Sequence, residues 1–137
     1  NALLAQANGF VTYGTTVEGS IVDYENLDNY QTGIHDYFKF LKFGFGRASD
    51  IASLHVRRGR ISREDGIDLV RKHDGQFPWT YLGRPLEDIL APLEIDVPGF
   101  VEICDRFTNR KIFRTDARGR LIKDRSGNLH KTNYDNP

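Results

Sequence analysis

The sequence predicts a mainly α fold, a small helical bundle with a C-terminal β-hairpin or short meander. Three observations predict it. Apolar residues recur at helical spacing through the middle of the chain. Glycines and polar caps divide that stretch into segments. Near the end, short apolar runs flank "DARG" and "RSGN", which are turn signals between strands. At 137 residues and 39% apolar composition, the chain suits one packed domain and excludes a disordered one.

The elements follow in order. "ALLAQANG" reads as a short helix, since Ala and Leu favour helix and Asn8-Gly9 ends it. Residues 9–31 read as loop, with short strands expected at 11–13 and 21–24. Thr32 is expected to cap a helix that runs to Phe43 and stops at Gly44 and Gly46. Ile34, Phe38, Leu41 and Phe45 keep helical spacing and are expected in the core. Tyr37, Phe40 and Phe43 widen the apolar surface, and part of it is expected to cover a face that another domain buries. Ser49 or Asp50 starts the next helix, through Arg57, with Ile51, Leu54 and His55 inward. Ser62 opens a third, because "SRED" fits a capping box; Ile67, Leu69 and Val70 face in, and Asp74-Gly75 stops it. "QFPWTYLGRP" reads as linker. "PLEDILAPL" is a short helix with Pro85 in its first turn. Asp96 caps "VPGFVEICDRF", with Phe100, Val101, Cys104 and Phe107 inward. "KIFRT", "RLIKD" and "LHK" are the expected strands, and "TNYDNP" a frayed tail. No internal repeat is expected.

Lys+Arg and Asp+Glu are equal at 19 each, so bulk charge implies neither nucleic acid nor membrane as partner. The distribution is uneven. Residues 1–38 hold no Lys or Arg but carry Glu18, Asp23, Glu25, Asp28 and Asp36. Residues 39–63 carry Lys39, Lys42, Arg47, Arg57, Arg58, Arg60 and Arg63 against Asp50. Cys104 is the only cysteine, which fits a reducing cytoplasm and excludes a disulfide framework. No apolar run approaches the ~20 residues that span a bilayer. Methionine is absent and the first residue is Asn1, so the chain is expected to be a piece of something longer.

Three constellations carry candidate chemistry. The helix pair around "RRGR" resembles a helix-turn-helix, and Arg57 to Arg63 could grip phosphates. Against that, Glu64 and Asp65 stand where base-reading side chains would, which favours a helical hairpin with a solvated turn. Second, Lys39 and Lys42 share a helix face, and "GFGRAS" feeds a helix N-terminus with Arg47 beside it, an arrangement suited to an anion. The competing reading is of lysines reaching out from a buried helix. Third, the histidines lack zinc spacing, so no metal site is expected. The His35-Asp36 pair lacks a third group for acid–base work, and Cys104 lies on an apolar helix face, where an inert thiol belongs.

The segment from Asn26 to Gly75 resembles the N-acetyl sugar amidotransferases of bacterial surface-polysaccharide biosynthesis, a PP-loop ATPase family. The matching motifs are Lys42-Phe43-Gly44, Arg47-Ala48, Gly59 and Ile61-Ser62-Arg63-Glu64; "YLGRPLEDIL" and "GFVEICDRFTN" fit its C-terminal helices. The resemblance implies a cytoplasmic enzyme of lipopolysaccharide or O-antigen synthesis. ATP, with Mg, would activate the acetamido oxygen of a nucleotide-linked N-acetyl sugar. Ammonia from a glutaminase partner would then give an acetamidino group. The family's ATP loop, Ser-Gly-Gly-x-Asp-Ser, is not in these residues. The chain therefore reads as a C-terminal domain, 1–137: helix and loop over 1–31, bundle over 32–108, hairpin and tail over 109–137. Alone it would bind no cofactor and catalyse nothing. Lys42, Arg47, Lys39 and His35 are the implied substrate contacts; Arg63 is either an anion contact or a structural partner of a nearby acid. The alternatives are a nucleic-acid module using the Arg57–Arg63 turn, and a docking domain for the glutaminase.

Overall fold

The computed structural model describes residues 2–132; most of the tail expected to fray, from Asn133 on, lies outside them. Among the described residues the fold is mainly α, with six α-helices and one two-stranded antiparallel sheet. Helix α1 (Ala2–Ala7) buries none of its side chains, and Gly9 follows it at φ 91°. The strands expected at 11–13 and 21–24 do not form. Isolated backbone bonds close this loop instead, from Tyr13 N to the Asp23 carbonyl (2.8 Å) and from Val17 N to the Val22 carbonyl (3.1 Å).

Helix α2 (Thr32–Phe43) is the central element. Gln31 holds its N-cap position, and Gly44, left-handed at φ 77°, ends it. Its Tyr37, Phe40 and Leu41 join Phe77, Leu86, Leu90, Phe100, Cys104 and Phe113 in the main core. Phe45 is not core: it is 43% exposed, because the reversal at Gly44 takes it off the helical spacing that Ile34, Phe38 and Leu41 keep. Tyr37 and Phe40 serve the chain's own core, whereas Phe43 is 61% exposed.

Helix α3 (Arg47–Arg57) starts two residues earlier than Ser49, with Gly46 at its N-cap. Helix α4 (Arg63–His73) starts as expected, Ser62 Oγ accepting from Asp65 N at 3.0 Å. The two pack as a hairpin, and the close approach falls on a glycine. A Cβ on Gly66 would stand 3.0 Å from Val56, and Ile67, expected inward, is exposed. "QFPWTYLGRP" is not a plain linker. Strands β1 (Thr80–Tyr81) and β2 (Arg84–Pro85) pair antiparallel across Leu82-Gly83, both at positive φ (49° and 72°). That is the handedness of a tight two-residue hairpin turn.

Pro85 then caps α5 (Leu86–Leu90), whose Leu86, Ile89 and Leu90 are buried. Asp96 caps α6 (Val97–Phe107), its Oδ1 accepting from Gly99 N at 2.8 Å. Phe100 and Cys104 point inward, but Phe107 is half-exposed and packs edge-on to Phe38.

The C-terminal stretch reverses direction where expected, yet its pairings are single antiparallel bridges: Thr115 with Leu121, Lys123 with Leu129, Phe113 with Lys131. It also contains a repeat, contrary to expectation. Residues 116–123 and 124–131 both read D-x-x-G-x-L-x-K. Each Asp accepts, through Oδ1, the N–H groups two and four residues on: Arg118 and Arg120 for Asp116, Ser126 and Asn128 for Asp124. Gly119 and Gly127 turn the chain at φ 77° and 87°.

Candidate functional site

The first turns of α2 set one wall of the site. Gly33, Asp36, Tyr37 and Phe40 lie three and four residues apart, so they share a face. That face borders a cavity of about 310 Å³. Gly33 is needed there, since a Cβ would stand 2.4 Å from the Tyr81 ring. The start of α3 brings Gly46 and Arg47, the end of α4 brings His73 and Asp74, and β1 with its approach brings Phe77, Trp79 and Tyr81. The loop around Glu18 also lines it.

The turn "GFGRAS" does gather donors around an anion, as its pattern implies, and the anion is Asp74. Its carboxylate accepts from Gly46 N (2.8 Å), Ala48 N (3.0 Å) and Ser49 Oγ (2.6 Å). Arg47 turns to Glu25, with Nε and Nη2 both on Oε2 at 3.0 and 2.8 Å. Glu18 ties the loop to the hairpin, accepting from Thr80 Oγ1 (3.2 Å) and Leu82 N (3.0 Å). The aromatic wall is held from the C-terminal repeat. Asn128 Oδ1 accepts from Phe77 N at 2.7 Å, and the Trp79 indole donates to the Ser126 carbonyl at 2.8 Å.

Two titrating groups here are displaced. Burial, with Lys72 beside it, lowers the His73 imidazole from its ordinary value, which favours the neutral ring. Burial, followed by the carboxylates of Asp36 and Glu18, pushes Tyr81 up to about 12.

Of the residues singled out from sequence, Arg47 lines this cavity and His35, Lys39, Lys42 and Arg63 do not. His35 is largely exposed and contacts Asp36 at 3.3 Å. Lys39 pairs with Asp50 and lies over the Phe45 ring. The Lys42 ammonium sits 5.2 Å from the Phe107 ring centre. These three occupy a neighbouring stripe of α2. Arg63 lines an open groove between α3 and α4 with Arg57 and Arg71, and no carboxylate lies within ion-pair distance of it among the described residues. Sequence reasoning missed Asp36 as a cavity residue, and Trp79 and Tyr81 altogether. The available signal was Gly33, a glycine in the first turn of an apolar helix, which marks a close approach.

The glycine turn at the start of α3, which the sequence offers to an anion, is filled by Asp74. Among the described residues no three His, Cys, Asp or Glu side chains converge as metal ligands. No described helix is long and apolar enough to cross a membrane.

The arrangement defines a small mainly α domain with a cavity that mixes aromatic faces with charged and hydroxyl groups. The family model described as LPS biosynthesis protein WbpG-like, C-terminal domain, matches residues 18–125, and the chain belongs to that family. The matched region spans the cavity from Glu18 to Tyr81 and the first turn of the repeat. A search of the curated proteins finds no match.

Proposed function

We propose that this chain is the substrate-side part of an ATP-dependent N-acetyl sugar amidotransferase of lipopolysaccharide or O-antigen synthesis. In this reading an acetamido sugar becomes an acetamidino sugar, with glutamine-derived ammonia supplied by a glutaminase partner in the cytoplasm. The ATP chemistry belongs to a part outside these residues. The observation that carries the reading is the cavity: in a lipopolysaccharide-synthesis family, Arg47 of the resemblance motif stands beside aromatic faces and carboxylates, the groups that hold sugar rings and hydroxyls. Arg47 serves as a wall residue steadied by Glu25. Lys39, Lys42 and His35, on the outer stripe of α2, are assigned to the phosphates of a nucleotide-linked substrate.

The test uses the enzyme that joins this chain to its ATP-binding part, with acetamidino-sugar formation followed by mass spectrometry. Arg47→Ala should lower kcat/KM by about tenfold or more, as loss of a charged contact does. Lys42→Ala should raise KM with little change in kcat. Unchanged kinetics in both variants would remove the assignment.

One observation favours a polyanion-binding alternative. Arg57, Arg58, Arg60 and Arg63 are exposed around the α3–α4 turn. A steep salt dependence of DNA binding would support it, and no binding at low salt would sink it.

A further inference from the structure

The charge of the cavity lining disagrees with a phosphate or carboxylate ligand. Glu18, Asp36 and Asp74 line it, against the guanidinium of Arg47, which already has Glu25 at 2.8 Å. Burial favours the neutral form of His73. The carboxylates differ in how they are engaged. Asp74 is held by the start of α3, and Glu18 by Thr80 and Leu82. Asp36 meets only His35, through Oδ1 at 3.3 Å; its Oδ2 has no hydrogen-bond partner among the described residues, and its side chain is 19% exposed. Trp79 and Tyr81 line the same cavity as this carboxylate, Trp79 half-exposed and Tyr81 buried with its ring packed on Gly33. A carboxylate beside aromatic faces is the chemistry that holds a planar organic cation, through charge and ring quadrupole together.

We propose that the cavity binds a small planar cation of the amidinium class, with Asp36 as its counter-charge and the Trp79 and Tyr81 rings as its walls. The preference for a cation rests on the lining. Identifying that cation as the acetamidino group of a sugar product rests on the amidotransferase reading above. On that reading the neutral acetamido group gains a positive charge in the product, and Asp36 favours the product form.

Trp79 is the only tryptophan in the chain, so its indole N–H gives one resolved signal in a ¹⁵N correlation spectrum. Acetamidinium, acetamide and acetate are near-isosteric probes of charge plus one, zero and minus one. Titrated into the native chain, acetamidinium should shift the Trp79 signal saturably and bind at least about tenfold tighter than acetamide, with acetate weaker still. Asp36→Asn should erase that preference while the spectrum stays dispersed. Acetate binding as well as acetamidinium, or no saturable shift with any probe, overturns the proposal. So does a folded Asp36→Asn chain with its preference intact. The three-probe series on the native chain decides the matter even if the variant does not fold. The two readings separate cleanly. Preference for acetamidinium in a protein whose enzyme makes no acetamidino sugar keeps the cation site and removes the reaction. Product formation without that preference does the reverse.

Discussion

Asp74 is the residue on which the site's geometry turns. It takes three donors at the start of α3 that have no other acceptor but the Gly19 carbonyl, which also accepts from Ala48 N at 3.1 Å. Removing it leaves the partly buried Gly46 N–H and the Ser49 hydroxyl without that acceptor, while Ala48 N keeps the Gly19 carbonyl. Asp74→Ala should therefore destabilise the fold by about 2–3 kcal/mol, measured by urea unfolding. A change below about 0.5 kcal/mol would mean that water replaces the carboxylate at no cost. At the same scale Cys104 is a core thiol. Burial, with Asp105 nearby, pushes it up to about 12. It should stay unreactive toward thiol reagents at pH 8 until denaturant opens the core; prompt labelling of native protein would contradict this. Inert Cys104 was legible in the sequence from its apolar helix face, whereas Asp74 read only as a helix stop. Its partners lie 25 or more residues away.

At the scale of elements, the two D-x-x-G-x-L-x-K turns couple the C-terminus to the cavity. The second carries Asn128 and Ser126, which hold Phe77 and Trp79. Hydrogen bonds from backbone N–H groups, first that of Arg120 and of Asn128, hold the carboxyls of Asp116 and Asp124 below the usual range. A depressed folded-state pKa means the unfolded chain binds protons more readily. The stabilisation is thus complete above the ordinary aspartate range and lost as pH falls through the depressed value. Amide exchange at Gly119 and Gly127 should quicken on acidification in that window, beyond the intrinsic pH dependence of exchange. In the Asp116→Ala/Asp124→Ala double variant the pH-specific part should vanish. The α4–β1 connection gives a sharper steric test. Gly75 has φ 75°, and a Cβ there would stand 2.2 Å from the Phe40 ring. Gly75→Ala should cost about 2–4 kcal/mol by combining left-handed strain with overpacking, read as a lower urea midpoint. The helices α2, α4 and α6 were legible because their spacing is local, as are the Ser62 and Asp96 caps and the Gly44 stop; the cap read at Thr32 was not, since Gln31 holds that position without a side-chain bond. The β1–β2 hairpin was not, because Leu82 occupies a left-handed position that its residue type disfavours and tertiary contacts enforce.

Across the whole molecule, α2 divides its charged and aromatic residues among three roles. Tyr37 and Phe40 build the core and Asp36 faces the cavity, while Phe43, Phe45 and Phe107 leave an exposed aromatic group near Lys39 and Lys42. The Arg47→Ala and Lys42→Ala comparison belongs to this scale, since it asks whether cavity and outer stripe act on one substrate. A larger loss for Lys42 than for Arg47 would move the substrate from the cavity to the outer stripe.

By itself the sequence determined the mainly α class, the caps at Ser62 and Asp96, the stop at Gly44 and the membership signal in residues 26–75. These depend on contacts within a few residues, where spacing and side-chain chemistry are sufficient. Tertiary structure alone decided that Asp74 fills the glycine turn, that Arg47 turns to Glu25, and that Asp36, Trp79 and Tyr81 meet around one cavity. Those choices depend on which distant carboxylate reaches a donor first and which helix face is covered. Packing sets both, and local pattern does not encode either.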